Sequence, residues 1–297
     1  MNNKKILILG ASGMLGHTLF YEFLCNRKFN VKGTVINISE VNNHFPQEML
    51  SNIIANIDAN NIDSIKQIIE EFAPNIVINC IGIIKQLPIS QEPIPVIKIN
   101  SLFPHELASI SRDIGCRMIH VSTDCVFDGK NGNYTEEDKL SAEDLYGISK
   151  YIGEVKYTNT ITVRTSIIGH ELNSNVSLIE WFLSQNGSIN GYTNAIYTGF
   201  PTVEIANIIA DYIIPNESLH GLYQVSSEPI SKFELLKLVS QIYNKKIEIN
   251  PYDNYYDNKS LISDKFRLAT GYIPPEWKIL VEKMYANFKQ FGYKRKF

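Results

Sequence analysis

Through the first 165 residues, short apolar runs alternate with longer stretches in which apolar residues recur every three or four positions. Strand-like runs fall at residues 6–9, 31–35, 53–57, 76–79, 117–122 and 161–164, and helix-like patterns fill 14–25, 62–72, 104–113 and 144–157. Apolar strands separated by helices of about 10–15 residues predict an α/β fold, a doubly wound parallel sheet covered on both faces. In such a sheet ligands lie beyond the carboxyl ends of the strands, so residues there are the first candidates for function.

Beyond Arg164 the rhythm loosens. A polar, Asn- and Gly-rich passage over 170–198 brackets one short helical stretch at 178–183, and a helix over 202–214 is expected to pack back on the first part. A strand follows at 221–225, then a helix starting at Ser231, where Ser231 and Glu234 have capping-box spacing. Pro274-Pro275 precedes a last amphipathic helix ending near Phe291. The expected division is residues 1–168 with 199–216 as one domain, and 169–198 with 217–297 as a smaller C-terminal α/β lobe for substrate.

Composition narrows the classes. With 297 residues, 44% hydrophobic and 20% charged, the chain has the make-up of a globular protein. A net charge of −3 gives no reason to expect nucleic acid or an anionic membrane as partner. The apolar segments are too short for a signal peptide or a membrane span, so a cytoplasmic location is expected. Cys25, Cys80, Cys116 and Cys125 lack metal-ligand spacing, as do the six histidines, and no metal is expected.

The first strand runs into Gly10-Ala11-Ser12-Gly13-Met14-Leu15-Gly16, where the first helix opens. Gly10 suits the tight turn, Gly13 lets backbone N–H groups approach a pyrophosphate, and Gly16 allows close helix–strand packing. The helix then points its positive end at the phosphates. In that context the pattern predicts a Rossmann dinucleotide site. The spacing resembles that of extended short-chain dehydrogenases/reductases, which use a Tyr-x-x-x-Lys pair.

The pair is present at Tyr146-Gly147-Ile148-Ser149-Lys150. Four residues apart on a helix, both side chains share one face. A phenol, with a reference pKa of about 10, is a poor acid or base at neutral pH. The Lys150 ammonium and a positively charged nicotinamide are expected to lower it. Lys150 can also hold the nicotinamide ribose. At the end of the fifth strand stand Ser122 and Thr123, whose hydroxyls can polarise a substrate carbonyl for hydride attack.

Longer strings carry a more specific likeness. Ser122-Thr123-Asp124-x-Val126-Phe127-Asp128-Gly129, Tyr134-Thr135-Glu136 and Tyr146-Gly147-x-Ser149-Lys150-x-x-Gly153-Glu154 resemble the dTDP-4-dehydrorhamnose reductase family. Val163-Arg164-Thr165-Ser166 and Phe200-Pro201-Thr202 continue the match. The resemblance implies NAD(P)H-dependent reduction of a 4-keto group on a nucleotide-activated 6-deoxysugar, with Thr123 polarising the oxygen and Tyr146 donating the proton. It implies cofactor contacts from Gly10, Ser12, Gly13, Met14, Leu15 and Gly16, and from Asp58 beside the adenine. Asn79, Cys80 and Gly82 after the fourth strand, Asn100 in the next helix, Ser122 and Lys150 complete that set. A homodimer is a further family expectation.

Three positions depart from the family pattern. Cys125 stands where the family usually has Tyr, and Ile167 where it commonly has Trp, so the residues expected to border the sugar differ. The second strand ends in Gly33-Thr34-Val35-Ile36-Asn37, without the acidic residue that binds a ribose 2′-OH. NADP(H) is therefore favoured, with NAD(H) open. Lys85, Arg164 and Arg267 are candidates for substrate phosphates, with an ordinary surface lysine or a structural ion pair as the competing reading. Cys80 and Cys125 read as inert buried thiols, and Tyr252, Tyr255 and Tyr256 as lobe packing or loop surface. Two other functions share the motifs: a nucleotide-sugar epimerase, and a non-catalytic NADP-binding regulatory subunit such as the relative that regulates methionine adenosyltransferase. A dehydratase is disfavoured because Asp124 has no adjacent Glu.

Overall fold

A computed structural model describes residues 4–27 and 29–293. Its strands, in chain order, are β1 (Lys5–Leu9), β2 (Asn30–Thr34), β3 (Ile53–Ile54), β4 (Ile76–Asn79), β5 (Arg117–Thr123) and β6 (Thr160–Thr165). They continue with β7 (Ile167–Ile168), β8 (Ser188–Tyr197), β9 (Phe200–Pro201), β10 (Gly221–Gln224), β11 (Ile230–Ser231) and β12 (Glu248–Asn258). Seven of them form one sheet in the order β10-β6-β5-β4-β1-β2-β3, with every pairing parallel. The doubly wound α/β fold is therefore present. The order reverses between β1 and β4, and the crevice at that switch point is where such sheets take ligands.

The sheet is held by burial of both its faces, which is why its strands read as continuous apolar runs. Ile6 and Ile8 of β1 enter one apolar cluster, and Leu7 and Leu9 enter the other. Leu15, Leu19 and Phe20 of the helix Met14–Tyr21 cover the first face, together with Ile205 and Ile208 from Thr202–Ile208. Ile65, Ile68 and Ile69 of Ile62–Phe72 and Leu107 of Phe103–Ile114 cover the second. The first cluster runs on through Phe182, Leu235, Val239 and Leu280, so the late segments share their core with the sheet.

Several local expectations need correction. The polar passage expected to hold only a short helix contains the ten-residue strand β8. Its buried positions are Gly191, Ala195 and Tyr197, so small residues mask its alternation. Tyr252, Tyr255 and Tyr256 lie on β12, which pairs in parallel with β8, and Tyr192 packs on Tyr252 and Tyr255 at ring distances of 5.7 and 4.6 Å. The helix expected over 144–157 ends at Ile152, and the strand expected over 53–57 is only two residues long. The run before Phe103–Ile114 contains a π-helical turn, Ile97–Leu102. Pro104 has no N–H to offer the helix, which suits a shift of register just there.

Candidate active site

The glycine loop is built for close approach. Gly10 has φ +83°, and a Cβ on Gly16 would lie 2.0 Å from the Gly10 carbonyl oxygen. Ala11 N–H donates to the Thr34 carbonyl at 2.8 Å, tying the loop to β2. The helix Met14–Tyr21 starts from Gly13, and among the described residues no side chain caps it and no acid sits in its first turn. Its first N–H groups, those of Met14, Leu15 and Gly16, thus suit a phosphate. Ser12 lies half-buried beside them.

A second element of the crevice lies beyond β4. Asn79 Oδ1 accepts the Ile81 N–H at 3.0 Å, and its Nδ2 lies 3.2 Å from His120 Nδ1. A Cβ on Gly82 would stand 3.4 Å from Asn100 Oδ1 and 3.9 Å from Lys150 Nζ, so glycine keeps a slot open between them. Asn100 clamps Ile83 through both backbone groups, at 2.9 and 3.0 Å, and its Nδ2 also reaches Ser149 Oγ at 3.2 Å. The glycine loop and this slot together suit a dinucleotide. Asp58 Oδ1 accepts from Asn60 N–H at 2.8 Å. At the end of β2, the Glu40 carboxylate turns back onto Asn37 N–H at 2.9 Å. An acidic group is therefore near that strand end, supplied from residue 40.

The catalytic candidates converge at the end of β5. Asp144 caps the helix Leu145–Ile152 by accepting Gly147 N–H at 2.8 Å, and receives Lys85 Nζ on its other oxygen at 2.8 Å. Within that helix, Lys150 Nζ donates to the Val121 carbonyl at 2.8 Å. Burial brings its pKa down to about 8, against the opposing charge of Glu154. Thr123 Oγ1 accepts Cys125 N–H at 3.1 Å and donates to Asp124 Oδ1 at 3.2 Å.

Tyr146 departs from its expected tuning. Burial pushes its phenol up, the Cys125 and Asp124 charges add to that, and a hydrogen bond with Thr123 opposes it. A phenol that stays protonated at neutral pH is the form a proton donor needs.

Other predicted residues have structural partners. Arg164, expected near substrate phosphates, is 1% exposed and forks onto Glu154 at 2.9 and 2.7 Å, with its guanidinium 5.2 Å over the Phe127 ring. Ser122 Oγ donates to the same Glu154 at 2.8 Å. That pair turns both side chains into the interior, since a buried carboxylate and guanidinium need each other. Arg267 bonds Glu228, Ser263 and the Ser226 carbonyl. Ile167 is half-buried and its strand pairs with β9. Burial pushes the Cys80 and Cys125 thiols up to about 12, which makes them inert as nucleophiles.

The motif residues Asp128, Tyr134 and Glu136 also prove structural. Tyr134 donates to Asp128 at 2.8 Å and stacks on Phe127, while Glu136 accepts the Gln224 N–H of edge strand β10 at 2.7 Å. Sequence reasoning missed Lys259, which pairs with Asp257 and acts on Asp124 and Cys125 from the late lobe. Only the fold brings residue 259 to the end of β5. Among the described residues, no group of three or more His, Cys, Asp or Glu could hold a metal ion.

Comparison with known proteins agrees with this geometry. The family described as the RmlD substrate binding domain matches residues 4–290. The chain belongs to that family. It is 27% identical to the dTDP-4-dehydrorhamnose reductase of Aggregatibacter actinomycetemcomitans, over 95% of this chain and 98% of that one. It is also 23% identical to methionine adenosyltransferase 2 subunit beta of Danio rerio, over 81% and 74% of the two chains. Among solved structures it is similar to the Bacillus anthracis dTDP-4-dehydrorhamnose reductase in complex with NADP. That match has a TM-score of 0.76 and 25% identity, covering 95% of this chain and 99% of the other.

Proposed function

We propose that this RmlD-family protein reduces the 4-keto group of a nucleotide-activated 6-deoxysugar, with NADPH as the favoured reductant and NADH open. The observation that carries this reading is the convergence of Thr123, Tyr146 and Lys150 beside the Gly82 slot and the uncapped glycine-loop helix. Bound there, the nicotinamide supplies the hydride. Tyr146, kept protonated by burial, donates its proton to the carbonyl oxygen as that oxygen gains charge. Thr123 supplies a hydrogen bond to the same oxygen. Lys150, between Gly82 and the Val121 carbonyl, holds the ribose. Met14, Leu15 and Gly16 N–H groups take the pyrophosphate.

In this reading Cys125 and Lys85, whose ammonium is anchored on Asp144, border the sugar. We assign residues 1–168 with 199–216 to the cofactor and 169–198 with 217–297 to the sugar nucleotide, in a cytoplasmic and homodimeric protein. Oxidation of NADPH, followed by its absorbance with a panel of 4-keto sugar nucleotides, tests the activity. A second reading, a regulatory subunit, draws on the Danio rerio relative. It predicts tight NADP binding with no turnover of any of these substrates.

A further inference from the structure

Asp124 is only 8% exposed, and the reaction outlined above gives its carboxyl no task. It lies against Thr123, whose hydroxyl has a single hydrogen. That hydrogen goes to Asp124 Oδ1 at 3.2 Å, while Oγ1 accepts the Cys125 N–H at 3.1 Å. A hydroxyl that gives its hydrogen to a carboxylate has none left for a substrate oxygen.

We propose that Asp124 is a positioning residue whose protonation sets the direction of the Thr123 hydroxyl. Ionised, Asp124 takes the Thr123 hydrogen. Protonated, it donates its own hydrogen to Thr123 Oγ1 and frees Thr123 to donate to the substrate carbonyl. The last of these steps rests on the reductase reading. Oγ1 has two lone pairs, which the Cys125 N–H and Asp124 then fill, so Tyr146, its third neighbour, keeps its own hydrogen for the substrate oxygen. The switch consumes no proton: Asp124 keeps its hydrogen, and Tyr146 supplies the one delivered to the product.

The surroundings agree with an acid that can hold its proton. Burial raises the Asp124 pKa, and Asp257 beyond it acts in the same direction. Lys259, Thr123 and the Cys125 thiol favour the carboxylate. Burial raises the phenols of Tyr146, from the catalytic helix, and Tyr197, from β8, and the Asp124 charge adds to both. An ionised Asp124 therefore occupies Thr123 and also makes Tyr146 a weaker acid. Protonation reverses both effects at once.

Carbon-13 labelling of the aspartate carboxyls reads this acid directly, its signal assigned by loss in Asp124→Asn. Thr123→Val removes a hydrogen bond to the carboxylate, and the Asp124 midpoint is expected to rise by about 1 pH unit. A midpoint that does not move overturns the coupling, whether or not the protein turns over any substrate.

In turnover, native kcat is expected to fall on the alkaline side at the Asp124 midpoint. Asp124→Asn, whose amide donates to Thr123 at every pH, loses that limb. Lys259→Met, which removes a cation favouring the carboxylate, moves it to higher pH. An unchanged limb in Asp124→Asn overturns the inference and leaves the reductase reading standing. A native protein inactive on every keto-sugar nucleotide overturns the reductase reading, and the carboxyl titration still decides the coupling.

Discussion

The phenol oxygen of Tyr293 lies 2.5 Å from Nε2 of His17, joining the end of the described chain to the first helix. The other ring nitrogen, Nδ1, lies 2.8 Å from the Gly13 carbonyl. A carbonyl only accepts, so Nδ1 carries the hydrogen and Nε2 accepts from the phenol. The late segment thereby braces the backbone of the glycine loop proposed to face the cofactor. Tyr293→Phe leaves a buried ring nitrogen unsatisfied, at a cost of about 1–3 kcal/mol. The urea midpoint should fall and NADPH should bind more weakly. Unchanged NADPH affinity in a destabilised variant would show that the brace serves stability alone.

The same ring makes the fold acid-sensitive. Burial holds His17 neutral and brings its pKa from 6.5 down to about 3. Across that window the unfolded chain binds a proton that the folded chain refuses, so this contribution is intact above pH 6.5 and is lost as pH falls towards 3. The full loss is on the order of 5 kcal/mol. Denaturant titrations between pH 7 and 4 should show native stability falling more steeply than that of His17→Gln. Parallel curves would contradict the assignment.

Tyr146→Phe removes the proposed proton donor and leaves the ring's packing. It should lower kcat by a factor of about 10²–10⁴ while NADPH still binds. A rate close to native would sink the mechanism.

The interior ion pair makes a different kind of prediction. The Arg164 and Glu154 side chains are 1% and 0% exposed, so removing one strands the other's charge away from water. Glu154→Ala should cost about 3–5 kcal/mol, and replacing both residues by Met should recover much of that loss. Equal stability of Glu154→Ala and the native protein would mean that Arg164 finds another partner.

What the sequence disclosed depended on how local each signal was. The β1, β4 and β5 runs are apolar throughout because both sheet faces are buried, and that survives in one dimension. Gly10 and Gly16, like Tyr146 and Lys150, mark the candidate site in the sequence because their spacing is set by one turn or one helix. Arg164 was ambiguous because its partner, Glu154, lies on another element and looks equally suited to the surface. Strand β8 buries glycine and alanine, so its alternation carries little apolar contrast. Lys259 and Tyr293 reach the first domain only through the packing of the late lobe.

Gly82 separates a cofactor site from a merely structural turn. A methyl group there would meet Asn100 Oδ1 at 3.4 Å and Lys150 Nζ at 3.9 Å, both ordinary contact distances. Gly82→Ala should therefore fold, and its stability should match or exceed native by up to about 1 kcal/mol, because alanine restricts the unfolded chain. Gly16→Ala offers the contrast, since its Cβ would stand 2.0 Å from a backbone oxygen and the loop would have to move. If the slot between Asn100 and Lys150 takes the nicotinamide ribose, the Gly82→Ala methyl group intrudes on it. NADPH affinity should then drop about tenfold, a loss of about 1.4 kcal/mol, in a protein that melts no lower than native. Isothermal titration paired with a melting curve reads both quantities. Full affinity in Gly82→Ala would place the ribose elsewhere and remove Lys150 from its proposed contact.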